Sequence, residues 1–232
     1  MSAQLHEFTD GAALAEGLAD KVSATLADAI AARGHATIAV SGGSTPKAFF
    51  KALATRDIDW SKVTVTLVDE RFVPADNARS NHLLVAENLL QGKAKAAGFL
   101  PLYRQAGSAE EAAKIVSGDA AKLGHPFDVV ILGMGTDGHT ASFFPGGSKL
   151  TEAISAATPR GVITMEADGA GETRLTFTFA SLQDARLLAL HIEGQGKKDV
   201  LAAAEADGPE EDMPIRAVLR RAATPVDIYW AP

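Results

Sequence analysis

Asp137 and His139 stand two residues apart in the run Gly133-Met134-Gly135-Thr136-Asp137-Gly138-His139, directly after the apolar segment 127–132. A histidine titrates near neutrality and serves as a general base when a neighbour orients it. Asp137 is such a neighbour, and the glycines leave the imidazole room to meet a substrate. The same residues would also make an ordinary surface turn. A second segment, Ser41-Gly42-Gly43-Ser44-Thr45-Pro46, follows the apolar run 36–40. Its glycines admit a ligand close to the backbone, and Ser44 and Thr45 add hydroxyl donors. A helix opening at Pro46 offers unpaired N–H groups. That combination cradles a phosphate, and it equally builds a tight strand-to-helix turn with Thr45 as N-cap.

Asp69-Glu70-Arg71 closes a third run, 63–68. Three charges there make either a solvated loop or a site in which Arg71 stabilises a developing oxyanion and Asp69 orients it. Arg174 opens the run 174–179, and Lys197 follows Gly194-Gln195-Gly196. Each alone reads as a surface charge, but together with Ser44 and Thr45 they would complete a pocket for a dianion. Gly133–Gly138 also matches G-x-G-x-x-G literally. A dinucleotide fingerprint opens a long helix, and Pro145-Gly146-Gly147 arrives too soon for one. Asp137 would moreover repel a diphosphate. No Walker motif and no G-x-S-x-G elbow is present, and Ser44–Lys47 matches S-x-x-K without its partner motifs. His6, His35, His82, His125 and His191 lack metal-ligand spacing, so no metal is expected.

An alternation of strands and helices must position these segments. Leu14, Leu18, Val22, Leu26 and Ile30 recur every four residues after Asp10, which predicts a helix ended by Gly34. Strands follow at 36–40, 63–68 and 127–132, with helices from Pro46 to about Thr55, from Ser80 to about Leu90, and after the Ser108/Glu111 capping box. The expected fold is α/β, a parallel sheet with helices on both faces, its loops 42–45, 69–71 and 133–139 on one edge. Later strands at 162–165, 174–179, 187–192 and 226–230, with helices at about 197–206 and 214–221, are expected to add a small lobe or an antiparallel edge. No linker or repeat divides residues 1–232, so a single domain is expected.

Composition narrows the function. The chain is 47% hydrophobic and 22% charged, which suits a globular protein and not a disordered one. It has no cysteine, so disulfides, thiolate metal sites and cysteine nucleophiles are out. A net charge of −7 argues against nucleic acid as the main partner, while local cations still permit an anionic small molecule. Neither a signal peptide nor an apolar stretch of membrane-spanning length is read, and a cytoplasmic location is expected.

Together these residues resemble the 6-phosphogluconolactonase family. The resemblance rests on SGGSTP at 41–46, VDERFVP at 68–74, SNHLL at 80–84, GMGTDGHTASFFPG at 133–146 and RLTFT at 174–178, and it spans nearly the whole chain. It implies a Rossmann-like sheet without a dinucleotide, and hydrolysis of 6-phosphoglucono-1,5-lactone in the oxidative pentose phosphate pathway. It implies that His139 takes a proton from the attacking water, Asp137 holds His139, Arg71 with Asp69 serves the oxyanion, and Gly42, Gly43, Ser44, Thr45, Arg174 and Lys197 grip the 6-phosphate. The lactone is an activated ester, so no cofactor is implied, and no membrane or obligate protein partner. The related glucosamine-6-phosphate deaminases typically read G-H-I-A-F-N-E-P, with a glutamate assisting ring opening. Here Phe144 takes the glutamate position, and Arg71 stands where deaminases tend to have tyrosine. A sugar-phosphate sensor would need a DNA-binding domain, for which a helix beginning at about residue 11 is expected to leave no room.

Overall fold

The computed structural model describes residues 3–232. The chain runs β1 (Gln4–Glu7), α1 (Gly11–Arg33), β2 (Ala36–Val40), α2 (Lys47–Ala54), β3 (Val63–Leu67), β4 (Asp69–Arg71), α3 (Asn81–Asn88), β5 (Gly98–Leu100), α4 (Ala109–Ala120), β6 (Val129–Leu132), α5 (Leu150–Ile154), β7 (Val162–Met165), β8 (Arg174–Phe177), α6 (Phe179–Leu182), β9 (Leu187–Glu193), α7 (Gln195–Glu205), α8 (Ile215–Arg221) and β10 (Val226–Ala231). The first helix forms as its pattern predicts. The Asp10 side chain accepts from the Ala13 N–H, Leu14, Leu18, Val22 and Leu26 are buried, and Gly34 closes the helix at φ 79°. At α2 the expectation fails by one residue: the helix begins at Lys47, and no side chain caps it. Thr45 is therefore not its N-cap.

Seven strands form one parallel sheet in the order β1-β10-β9-β6-β2-β3-β5. Every residue of β2 and β6 is buried, as a strand covered on both faces requires. From β2 the chain builds outward through β3 and β5; from β6 it builds the other way through β9 and β10. The connections leaving β2 and β6 therefore diverge, and a crevice opens between them, the usual ligand position in such sheets. Ser41 stitches its base: its N–H and Oγ both donate to the Ile131 carbonyl (3.0 and 2.9 Å), and the Gly133 N–H donates back to Oγ (3.1 Å). The loops after β2, β3 and β6 share one sheet edge, as expected.

The later strands divide: β9 and β10 join the parallel sheet, while β7 and β8 form the small antiparallel lobe that was one of the two expectations. β4, β8 and β7 make a separate three-stranded antiparallel sheet. Val68 is the crossing point: its N–H donates to Val40 of the main sheet at 2.9 Å, and its carbonyl accepts from Phe177 of the second at 3.0 Å. Asp69-Glu70-Arg71, read as a loop, is thus a strand. The strand expected at 174–179 ends at Phe177, where α6 takes over. Besides β4 and α6, three short elements were not expected: β1, β5 and α5. Among the described residues no helix is long and apolar enough to cross a membrane.

Asp128, just before β6, ties the opposite end of the sheet. Its buried carboxylate accepts from the Thr37 N–H at 2.8 Å and from Arg33, and forms an ion pair with Arg186 Nε at 3.3 Å. Both arginines reach solvent and can rehydrate, whereas the Thr37 N–H cannot. Asp128→Ala should therefore cost ~1–3 kcal/mol, the usual cost of one orphaned buried donor. A lowered urea midpoint with unchanged ligand binding at the crevice is the expected result; an unchanged midpoint would contradict it.

Candidate active site

The crevice is a cleft of about 600 Å3 whose wall includes all ten residues singled out in the sequence: Gly42, Gly43, Ser44, Thr45, Asp69, Arg71, Asp137, His139, Arg174 and Lys197. Three strand ends of the main sheet and two strands of the second sheet deliver them.

His139 lies on the loop after β6. Its Nδ1 meets Asp137 Oδ1 at 2.6 Å, and its backbone N–H donates to the same oxygen at 3.1 Å. A carboxylate only accepts, so the Nδ1 partner is an N–H, and in the neutral ring Nε2 then carries the lone pair. Burial pushes the Asp137 carboxyl up, but the backbone N–H, charge and ring hydrogen bond of His139 outweigh it and hold it below its ordinary value. The stability this pair adds is present above the ordinary carboxylate range and is lost as the pH falls below it. Gly135 lies directly beneath: a Cβ there would come within 2.1 Å of His139 Nδ1 and 2.5 Å of Asp137 Oδ1. The next residues pin the loop. Thr140 Oγ1 donates to the Gly133 carbonyl at 2.8 Å, and Ser142 Oγ donates to Asp69 Oδ2 at 2.5 Å. Between them Ala141 takes φ 50°, a strained value for a residue with a Cβ. No helix follows these glycines before α5, which is not the geometry of a dinucleotide fingerprint.

Asp69 and Glu70 divide their work. Glu70 is fully buried and points to the start of α3. Its oxygens accept from the N–H groups of Arg71 (2.7 Å), Asn81 (2.8 Å) and His82 (2.8 Å) and from Ser80 Oγ (3.0 Å). Burial nevertheless pushes its carboxyl above the ordinary value. Asp69 faces the cleft, holding Ser142 and standing 3.9 Å from Arg174 Nη1. It does not orient Arg71, as the sequence had suggested. Arg71 Nη1 instead donates to the Arg79 carbonyl (2.7 Å) and to Asn81 Oδ1 (3.0 Å).

Arg71 and Arg174 are direct cross-strand partners of β4 and β8. Like charges so opposed repel, and the buried Nε of each has no partner among the described residues. Burial lowers the Arg174 pKa, Asp69 opposes that shift, and Arg71 adds to it. Arg174 also donates to the Ala170 carbonyl at 2.8 Å and lies 5.4 Å from the ring of Phe144, which in turn lies 4.7 Å from that of His139. Across the cleft, Lys197 Nζ donates to the Met134 carbonyl at 2.7 Å; burial lowers its pKa while the charge of Asp137 pulls it back. Gly43 takes φ 96° and has open space on the side where a Cβ would stand, so an anion can reach its backbone. The wall thus sets Arg71, Arg174, Lys197 and free donors beside the imidazole of His139, and it suits an anionic ligand with an electrophilic centre.

Four wall or support residues escaped the sequence reading. Asn81 reads as a helix-start residue, and Ser142 as part of a loop. His191 pairs with Glu193 at 2.9 Å on one face of β9, and only their alternation hinted at it. Among the described residues no group of three or more His, Asp or Glu could hold a metal ion.

Residues 9–230 match the family model described as glucosamine-6-phosphate isomerases/6-phosphogluconolactonase. The chain is 70% identical over its full length to a 6-phosphogluconolactonase of Rhizobium meliloti, all of which is covered. It is 54% identical over 227 residues to one of Mesorhizobium japonicum, covering 97% of this chain and 94% of that protein. The crystal structure of a 6-phosphogluconolactonase from Shewanella baltica superposes with a TM-score of 0.96 at 38% identity, covering 100% and 98% of the two chains.

Gly135→Ala tests the geometry without reference to any reaction. The added methyl must part His139 from Asp137, and displacements on the order of 1 Å are what active sites tolerate least. The imidazole resonances of His139 should shift while the far-UV spectrum stays unchanged. Unmoved resonances would mean that the pair does not rest on Gly135.

Proposed function

The chain belongs to the glucosamine-6-phosphate isomerase/6-phosphogluconolactonase family, and from that membership and the cleft's geometry we propose that it hydrolyses 6-phosphoglucono-1,5-lactone to 6-phosphogluconate with His139 as general base. The observation that carries the reading is the Asp137–His139 contact, which commits Nδ1 and leaves Nε2 able to accept a proton. Nε2 takes a proton from water as the water oxygen bonds to the lactone carbonyl carbon. Charge builds on the carbonyl oxygen, and Arg71 stabilises it, a role worth ~3–4 kcal/mol for comparable donors. When the intermediate collapses, the bond from the carbonyl carbon to the ring oxygen breaks, and the ring oxygen leaves as a hydroxyl with the proton held by His139. Asp137 keeps the ring in place and balances the imidazolium. Asp69 acts indirectly, by fixing Ser142 and therefore the His139 loop.

The 6-phosphate is assigned to Gly42, Gly43, Ser44 and Thr45 at the start of α2, with Arg174 and Lys197 as its cations. Thr45 is free for this because it caps nothing. The deaminase reading fares worse, because the ring of Phe144 lies beside His139 and cannot carry a proton.

Fresh phosphogluconolactone should be consumed much faster than its spontaneous hydrolysis, and glucosamine 6-phosphate in a parallel assay should not; the reverse pattern would overturn the assignment. His139→Asn should keep the fold and the affinity for 6-phosphogluconate but lose ~10²-fold or more in rate. A parental rate after subtraction of the spontaneous reaction would remove His139 as the base. Arg174→Ala and Lys197→Ala should each raise KM about tenfold to a hundredfold, the worth of one charge-assisted contact. Unchanged KM in both would refute the phosphate pocket.

A further inference from the structure

Arg71 is awkwardly placed. It faces another guanidinium across two paired strands, and like charges on opposed residues drive the side chains apart. Left to that repulsion, Arg71 would swing toward solvent unless something held it. One of its two anchors is the main-chain carbonyl of Arg79; the other is the side chain of Asn81.

Asn81 is buried and sits where three parts of the cleft meet. Its Oδ1 accepts from Arg71 Nη1 at 3.0 Å, and its Nδ2 donates to the Asp69 carbonyl at 2.9 Å. Arginine only donates and a carbonyl only accepts, so the carboxamide has one possible orientation and uses both of its ends. The same group fills the hollow left by Gly42, where a Cβ would lie 1.9 Å from Oδ1. Its own backbone is fixed by the N–H bond to Glu70 at 2.8 Å. Glu70 thus sets Asn81, and Asn81 sets Arg71 against both the strand and the glycine loop.

We infer that Asn81 is a positioning residue for the lactone reaction, placing the Arg71 guanidinium at the developing oxyanion. The inference rests on the lactonase reading for its reaction and on geometry alone for the placement. Asn81→Ala should lower kcat about tenfold, as loss of one charge-assisted bond would, and leave KM within about twofold. Asn81→Asp keeps an acceptor for Arg71, gives up the donor to Asp69, and should retain more of kcat than Asn81→Ala.

A double-mutant cycle separates positioning from general structural damage. If Asn81 acts through Arg71, Asn81→Ala should add less than about twofold in an Arg71→Ala background. An equal loss in both backgrounds would overturn the inference, as would an unchanged kcat in Asn81→Ala. The Nε–H resonance of Arg71 supplies a readout independent of turnover. It should shift in Asn81→Ala, and an unmoved signal would also overturn the inference. A parent that fails to hydrolyse the lactone while this resonance still shifts would count against the activity and not against the placement of Arg71. If Asn81→Ala fails to fold, Asn81→Leu, close in volume and without either polar end, carries the same cycle and the same resonance.

Discussion

Two buried carboxylates on successive residues of a three-residue strand govern the site. Neighbouring side chains of a strand point to opposite faces, so Asp69 and Glu70 must look in opposite directions. Leaving either buried and unpaired would cost several kcal/mol. Each is therefore surrounded by donors, and those donors belong to different parts of the cleft. Glu70 gathers the start of α3, and with it Asn81 and Arg71. Asp69 gathers Ser142, and with it the loop that carries His139. The placing of the His139 loop and of the Arg71 guanidinium thus goes back to the pleat of one short strand.

The cleft gathers cations in a molecule that is acidic as a whole. The chain carries −7, yet Arg71, Arg174 and Lys197 line one cleft together with the positive end of α2. The two signs coexist because solvent screens remote surface charge over ~8 Å, whereas charges inside a partly closed cleft are screened much less. The opposed arginines are stable partners only when an anion or a fixed acceptor lies near, and Asp69 and Asn81 supply the acceptors.

Much of this was legible in the sequence because it depends on local chemistry. The every-fourth-residue stripe from Leu14 to Ile30, the apolar runs 36–40 and 127–132, and glycine-rich loops after strands announce themselves without tertiary context. What stayed hidden depends on pairing between distant segments. β1 holds one large apolar residue, Leu5, and exists only because β10 offers an edge. Asp69-Glu70-Arg71 has the composition of a loop and becomes a strand because β8 lies alongside it. Asn81 looks like any polar residue at a helix start; its role appears only when Gly42 and Arg71, from two other elements, close around it. Assigning Asp69 to Arg71 failed for the same reason, since sequence proximity stood in for a contact made across the fold.

The crossing at Val68 means that the cleft has one wall in each sheet. The glycine loop and His139 belong to the parallel sheet, and Arg71 and Arg174 to the antiparallel one. A substrate touching both walls is then a removable crosslink, joining two bodies that share few backbone hydrogen bonds. Occupancy and rigidity become the same quantity: at a hundredfold excess over Kd a ligand adds ~2.7 kcal/mol to the folded state. That gain would fall on the junction between the sheets, so the occupied protein would resist proteolysis longer than the empty one.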